Sequence, residues 1–114
     1  MFKKDFVWGV AASAYQIEGA TKEGGRTESV WDMFCLKDGA IERGETGDVA
    51  CDFYRRYKDD IALMKSLGIK AFRFSISWNR LLPYPDGRIN EEGATFYDNV
   101  INELLKNGIT PYVA

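Results

Sequence analysis

Gln16 and Glu18 stand just past an apolar run in FVWGVAASAYQIEG (Phe6 to Gly19), and Arg73 lies between two phenylalanines in IKAFRFSIS (Ile69 to Ser77). The 114-residue chain has no histidine, which excludes a Ser-His-Asp triad, a Cys-His pair and any histidine-ligated metal site within it. An acid or base here must be a carboxylate, lysine, tyrosine or cysteine. Gln16 can serve a site or, as a buried amide, satisfy loop backbone; Glu18 can serve a site, pair with Arg26 or belong to a turn. A guanidinium between Phe72 and Phe74 in an interior strand needs an anion, and a carboxylate is the expected partner.

Other polar and aromatic groups read as structural. Asp59-Asp60 suits a solvated helix face, and Glu91-Glu92 a first helical turn that complements the helix dipole. Neither pair follows a strand. Trp31, Trp78 and Tyr84 could stack on a sugar ring, but each taken singly reads as core. Gly24-Gly25-Arg26 lacks the preceding strand and following helix of a phosphate loop.

The elements that must position these residues alternate. Phe6 to Ala12 reads as a strand buried on both faces. Thr21 to Gly47 reads as a long loop with at most one helical turn around Val30, Trp31, Met33 and Phe34. Asp48 can cap a helix with apolar positions Val49, Phe53, Tyr57, Ile61, Met64 and Leu67, stopped by Gly68. Ile69 to Ser77 is a second strand, WNRLLPYPDGR is turn chemistry, and Asn90 caps a second helix that ends at Gly108. ITPYVA starts a third strand.

Gly68-Ile69 and Gly108-Ile109 lie 40 residues apart and join a helix to a strand in the same way, which implies a repeated α-to-β unit. The order βαβαβ demands parallel strands with right-handed crossovers, in an open doubly wound sheet or a barrel. Ala11-Ala12-Ser13-Ala14 is not the glycine-rich turn that a nucleotide-binding sheet needs after its first strand, which tilts the choice to a barrel. In a barrel, residues at the C-terminal ends of strands face the site, which places Gln16, Glu18, Arg73, Ser75 and Ser77 there.

Composition bounds the rest. A 46% hydrophobic, 14% aromatic chain with a scattered net charge of −2 reads as globular, with no nucleic-acid or membrane partner expected. Cys35 and Cys51 fit neither a metal spacing nor a disulfide framework, and no apolar signal core opens the chain, so a cytoplasmic location is expected. No cofactor or metal is expected.

Together these motifs resemble the N-terminal part of glycoside hydrolase family 1, the β-glucosidase family. FVWGVAASAYQIEG is similar to its opening strand and Gln-x-Glu-Gly; Gly25, Arg26, Ser29, Trp31 and Asp32 match its Gly-Arg-x-x-Ser-x-Trp-Asp. The likeness runs on through TGDVACDFYRRYKDDIALMKSLGIKAFRFSISW, LLP, GRIN and FYDNVINELLKNGITPYV. Phe53, Arg55, Thr27 and Asn79 depart from its usual residues, at positions of helix surface and loop packing. Tyr15 is more like the plain β-glucosidase branch than the 6-phospho branch.

The resemblance implies the βαβαβ start of a (β/α)8 TIM barrel, with residues 1–114 an incomplete part of one barrel domain. It implies that Gln16 binds hydroxyls of the cleaved sugar, that Glu18 supports it, and that Arg73 holds the nucleophilic carboxylate. The reaction implied is retaining hydrolysis of β-D-glucosides by two glutamates about 5–5.5 Å apart. The family carries these in Asn-Glu-Pro and Glu-Asn-Gly motifs, and neither string occurs here. No catalytic residue is therefore expected in this chain, which should need the remainder of the barrel. The alternative is a non-catalytic module that binds sugar or complements a C-terminal piece.

Overall fold

The computed structural model describes residues 1–114. Strand β1 (Gly9–Ala11) is followed by a helical turn, α1 (Ala14–Ile17), and a short helix, α2 (Val30–Cys35). Helix α3 (Phe53–Ser66) leads to β2 (Ala71–Phe74), then α4 (Trp78–Leu81), α5 (Glu91–Lys106) and β3 (Thr110–Val113). The sheet has the order β1-β2-β3 with both pairings parallel. Ala11, Arg73 and Tyr112 are in register across it.

The repeated unit is a repeated helix stop. In α3 the amide of Gly68 donates to Lys65 O and that of Ile69 to Met64 O; in α5 Gly108 donates to Leu105 O and Ile109 to Leu104 O. Both are the double bond of a Schellman motif, with the glycines at φ +75° and +71°. The chain turns from helix to strand within residues 67–70 after α3 and 107–109 after α5, so each helix lies back along the sheet.

Strand alternation does the rest. Phe72 and Phe74 point to the helices and are buried with Phe53, Ile61, Phe96, Tyr97, Val100, Leu104 and Ile109. Arg73 between them points to the other face and is exposed.

Several expectations need correction. The first strand is shorter than Phe6 to Ala12, and its residues are exposed rather than buried on both faces, because β1 pairs on one edge only and the helical layer lies over β2. The first long helix starts at Phe53 with Asp52 as N-cap, while Asp48 instead accepts from the Thr21 hydroxyl at 2.5 Å. WNRL is helical, not turn. Trp31, Trp78 and Tyr84 are exposed rather than core, at 54%, 68% and 40%. Asn90 does occupy the N-cap of α5, but its side chain turns away to Gly24 O and Arg80 O.

The accessible surface is 7883 Å², against about 6,300 Å² for a compact 12.9 kDa monomer. The radius of gyration, 15.7 Å, likewise exceeds the ~13 Å of a compact chain of this length. Both follow from two unpaired sheet edges and an uncovered inner face.

Candidate functional site

Gln16 reaches the C-terminal end of the sheet on α1, which is pinned by its first amide: Ala14 N donates to Ser75 Oγ at 2.8 Å, just past β2. Gln16 is exposed and lines a hollow of about 620 Å³ with Tyr15, Trp31, Cys35 and Thr46. The Tyr15 ring stacks on Trp31 at 5.9 Å and its hydroxyl meets Cys35 Sγ at 3.2 Å and the Gly47 amide at 3.1 Å. Burial and the Cys35 contact push this phenol up to about 12. A second hollow of about 280 Å³ lies between α1 and the end of β2, where Ser75, Ser77, Trp78 and Asn79 line it.

Arg73 sits lower in the sheet, level with Ala11 and Tyr112, and lines neither hollow. The expected carboxylate partner is not in this chain: its five ion pairs are Arg26–Asp32, Arg55–Glu23, Arg55–Asp52, Arg80–Glu18 and Arg88–Asp86. Exposure explains how an unpaired guanidinium is tolerated, because desolvation is what makes such a charge costly.

Glu18 borders the second hollow, but its carboxylate is taken up inside the fold. It is 4% exposed, and its partner is Arg80, not Arg26: Nε of Arg80 donates to Oε2 at 3.1 Å, and the Tyr97 hydroxyl donates to Oε1 at 2.5 Å. Burial, followed by the Glu18 charge and hydrogen bond, raises the Tyr97 phenol well above its ordinary range. Arg26 pairs with Asp32 at 2.8 Å, and Asp32 also closes the capping box of α2 with Ser29. Burial works to raise the Asp32 carboxyl, yet the Ser29 bonds and Arg26 hold it below the usual carboxylate range.

Arg80 and Tyr97 escaped the sequence reading. The first lies in a segment read as turn, the second among the apolar positions of a helix. Their common partner is 62 and 79 residues away, a separation that no local pattern spans.

The profile of glycosyl hydrolase family 1 matches residues 1–114. The chain is 54% identical over 112 residues to β-glucosidase A of Acetivibrio thermocellus, covering 98% of this chain and 25% of the relative. It is 54% identical over 115 residues to furcatin hydrolase of Viburnum furcatum, covering 98% and 21%. The solved β-glucosidase of Thermotoga maritima in complex with glucoimidazole superposes with a TM-score of 0.94 at 50% identity, covering 98% of this chain and 26% of that one. The chain thus spans about a quarter of the length of the relatives it matches, and its three parallel strands and helices form an incomplete TIM barrel.

Proposed function

Since this chain belongs to glycosyl hydrolase family 1, we propose that residues 1–114 supply the first strands of a retaining β-glucosidase barrel domain and one wall of its sugar site, without turnover of their own. Gln16 hydrogen-bonds hydroxyls of a terminal β-D-glucoside, and Arg73 holds the nucleophilic carboxylate that the remainder of the barrel brings. The observation that carries this is Arg73 itself: a strand-borne cation on the uncovered face, with no acid of its own chain to meet it. An anion supplied from elsewhere in the barrel satisfies it and is in turn held ionised, as a nucleophile must be.

Retaining hydrolysis needs a second carboxyl about 5–5.5 Å from the first, acting as acid and then base. Glu18 cannot stand in for either, since both its oxygens are engaged, one by Arg80 and one by Tyr97. The uncovered apolar surface supports a role for the remainder of the barrel as partner: Val10, Trp31, Phe34, Trp78, Tyr112 and Val113 are exposed. Free thiols at Cys35 and Cys51 favour a reducing, cytoplasmic setting.

The purified chain should release no nitrophenol from 4-nitrophenyl β-D-glucoside above the buffer rate. Sustained release that survives repurification sinks the proposal. The alternative, a non-catalytic sugar-binding module, is favoured by one observation: the hollow beside Gln16 and Trp31 is already formed within these residues. Saturable binding of glucose or cellobiose without turnover would select it.

A further inference from the structure

We propose that Arg80 is a positioning residue for Gln16, acting through Glu18 and the turn that follows it. The inference rests on the sugar-binding reading of Gln16 for its function, though not for its geometry. Arg80 is wholly buried on α4, and four of its five N–H donors have acceptors. Nε takes Glu18 Oε2 at 3.1 Å, Nη2 takes Gly19 O at 3.1 Å and Ala20 O at 3.3 Å, and Nη1 takes Glu23 O at 3.3 Å. The guanidinium also lies 4.5 Å over the Tyr54 ring.

These acceptors are the turn that leaves α1. Gly19 and Ala20 have φ of +67° and +49°, and for alanine this is a sparsely populated conformation that persists only where surroundings hold it. Two adjacent carbonyls converging on one guanidinium nitrogen provide that hold. Glu18 in turn is the C-cap of α1, its amide donating to Ala14 O at 2.9 Å, so its placement sets the end of the helical turn that carries Gln16.

Tyr97 completes the fixture. Its hydroxyl donates to Glu18 Oε1 and accepts from Ser77 N at 2.7 Å, which ties α1 and α5 to the start of α4. Asn90 adds a bond from Nδ2 to Gly24 O at 2.6 Å and another to Arg80 O at 2.9 Å. The turn from Glu18 to Gly24 is therefore held from α4 and α5, while the side chain of Gln16 stays exposed in its hollow. A lysine at position 80 could not replace this, because a point charge on a flexible stem lacks the planar fork that meets divergent acceptors.

The test is amide hydrogen exchange and side-chain amide NMR of Gln16 in the 114-residue chain, with Arg80→Lys and Tyr97→Phe. Tyr97→Phe keeps the ring and removes only the hydroxyl. Positioning predicts exchange at least tenfold faster at Gln16 to Glu18 in both variants, with Val100 and Leu104 of α5 unchanged and the Gln16 side-chain signals shifted. If Gln16 keeps its exchange rate and its signals, or if every amide in the chain loosens together in both variants, the proposal fails. D-Glucose added to the unsubstituted chain tests the functional reading separately: no change in the Gln16 signals rejects sugar contact at Gln16, while the exchange data still decide the positioning.

Discussion

Gly93 sits in the first turns of α5, where helix propensity alone says that alanine would stabilise by about 0.8–1 kcal/mol. The tertiary structure reverses the sign. A Cβ on Gly93 would stand 2.2 Å from Arg80 O, 2.9 Å from the Arg80 carbonyl carbon and 3.2 Å from its Cγ. Ordinary contacts lie near ~3.5–4.0 Å, so the backbone of α4 would have to retreat by roughly an ångström. Overpacking of this kind costs about 1–3 kcal/mol, and a rigid backbone obstacle belongs at the upper end. The retreat also strains the Asn90 bond to Arg80 O, a further ~1 kcal/mol, which offsets the propensity gain. Gly93→Ala should therefore destabilise by about 2–3 kcal/mol. In urea, with a slope of about 1–3 kcal/mol/M, the midpoint should fall by ~0.7–3 M at unchanged slope. Thr95→Ala, exposed on the same helix, is the control and should gain a few tenths of a kcal/mol. If both substitutions stabilise equally, α4 does not pack on α5 as described.

Arg73→Met should change stability by less than about 0.5 kcal/mol, since the side chain is exposed and unpaired; a thermal melt showing a much larger loss would reveal a partner for it inside the chain. Asp32→Asn removes the capping box and the Arg26 pair, at a cost of about 1 kcal/mol at neutral pH. Because the folded carboxyl lies below its unfolded value, that contribution is present above about pH 4 and lost as pH falls, so denaturation curves of the two proteins should converge in acid. Tyr15 behaves oppositely. With a folded value of about 12 against an ordinary 10.0, the native state keeps a proton that the unfolded state releases, so stability falls as pH rises from 10 towards 12. Phenolate absorbance should show Tyr15 titrating late, and Cys35→Ala should bring it earlier.

Much of the fold was legible because its signals are local. The apolar spacing from Phe53 to Met64 and from Phe96 to Leu105 marks both long helices, and Gly68 and Gly108 stop them through identical bonds. The alternation Phe72, Arg73, Phe74 already separates a helix-facing side from an open one. Gln16 was legible as a polar residue beyond the first strand, and Arg73 as a cation within the second. Boundaries were less so: α3 starts beyond Asp48 because that carboxylate is occupied by Thr21, 27 residues away.

By itself, then, the sequence determined the order of the three strands and two long helices, the stops of those helices and the family, since periodicity, glycine turns and motif order are properties of neighbouring residues. Only the tertiary structure decided what Glu18, Arg80, Tyr97 and Gly93 are for. A buried charge must find partners wherever the chain brings them, and close approach of two backbones leaves no room for a methyl group. Those conditions arise from packing, between residues up to 79 positions apart, where no pattern along the chain records them.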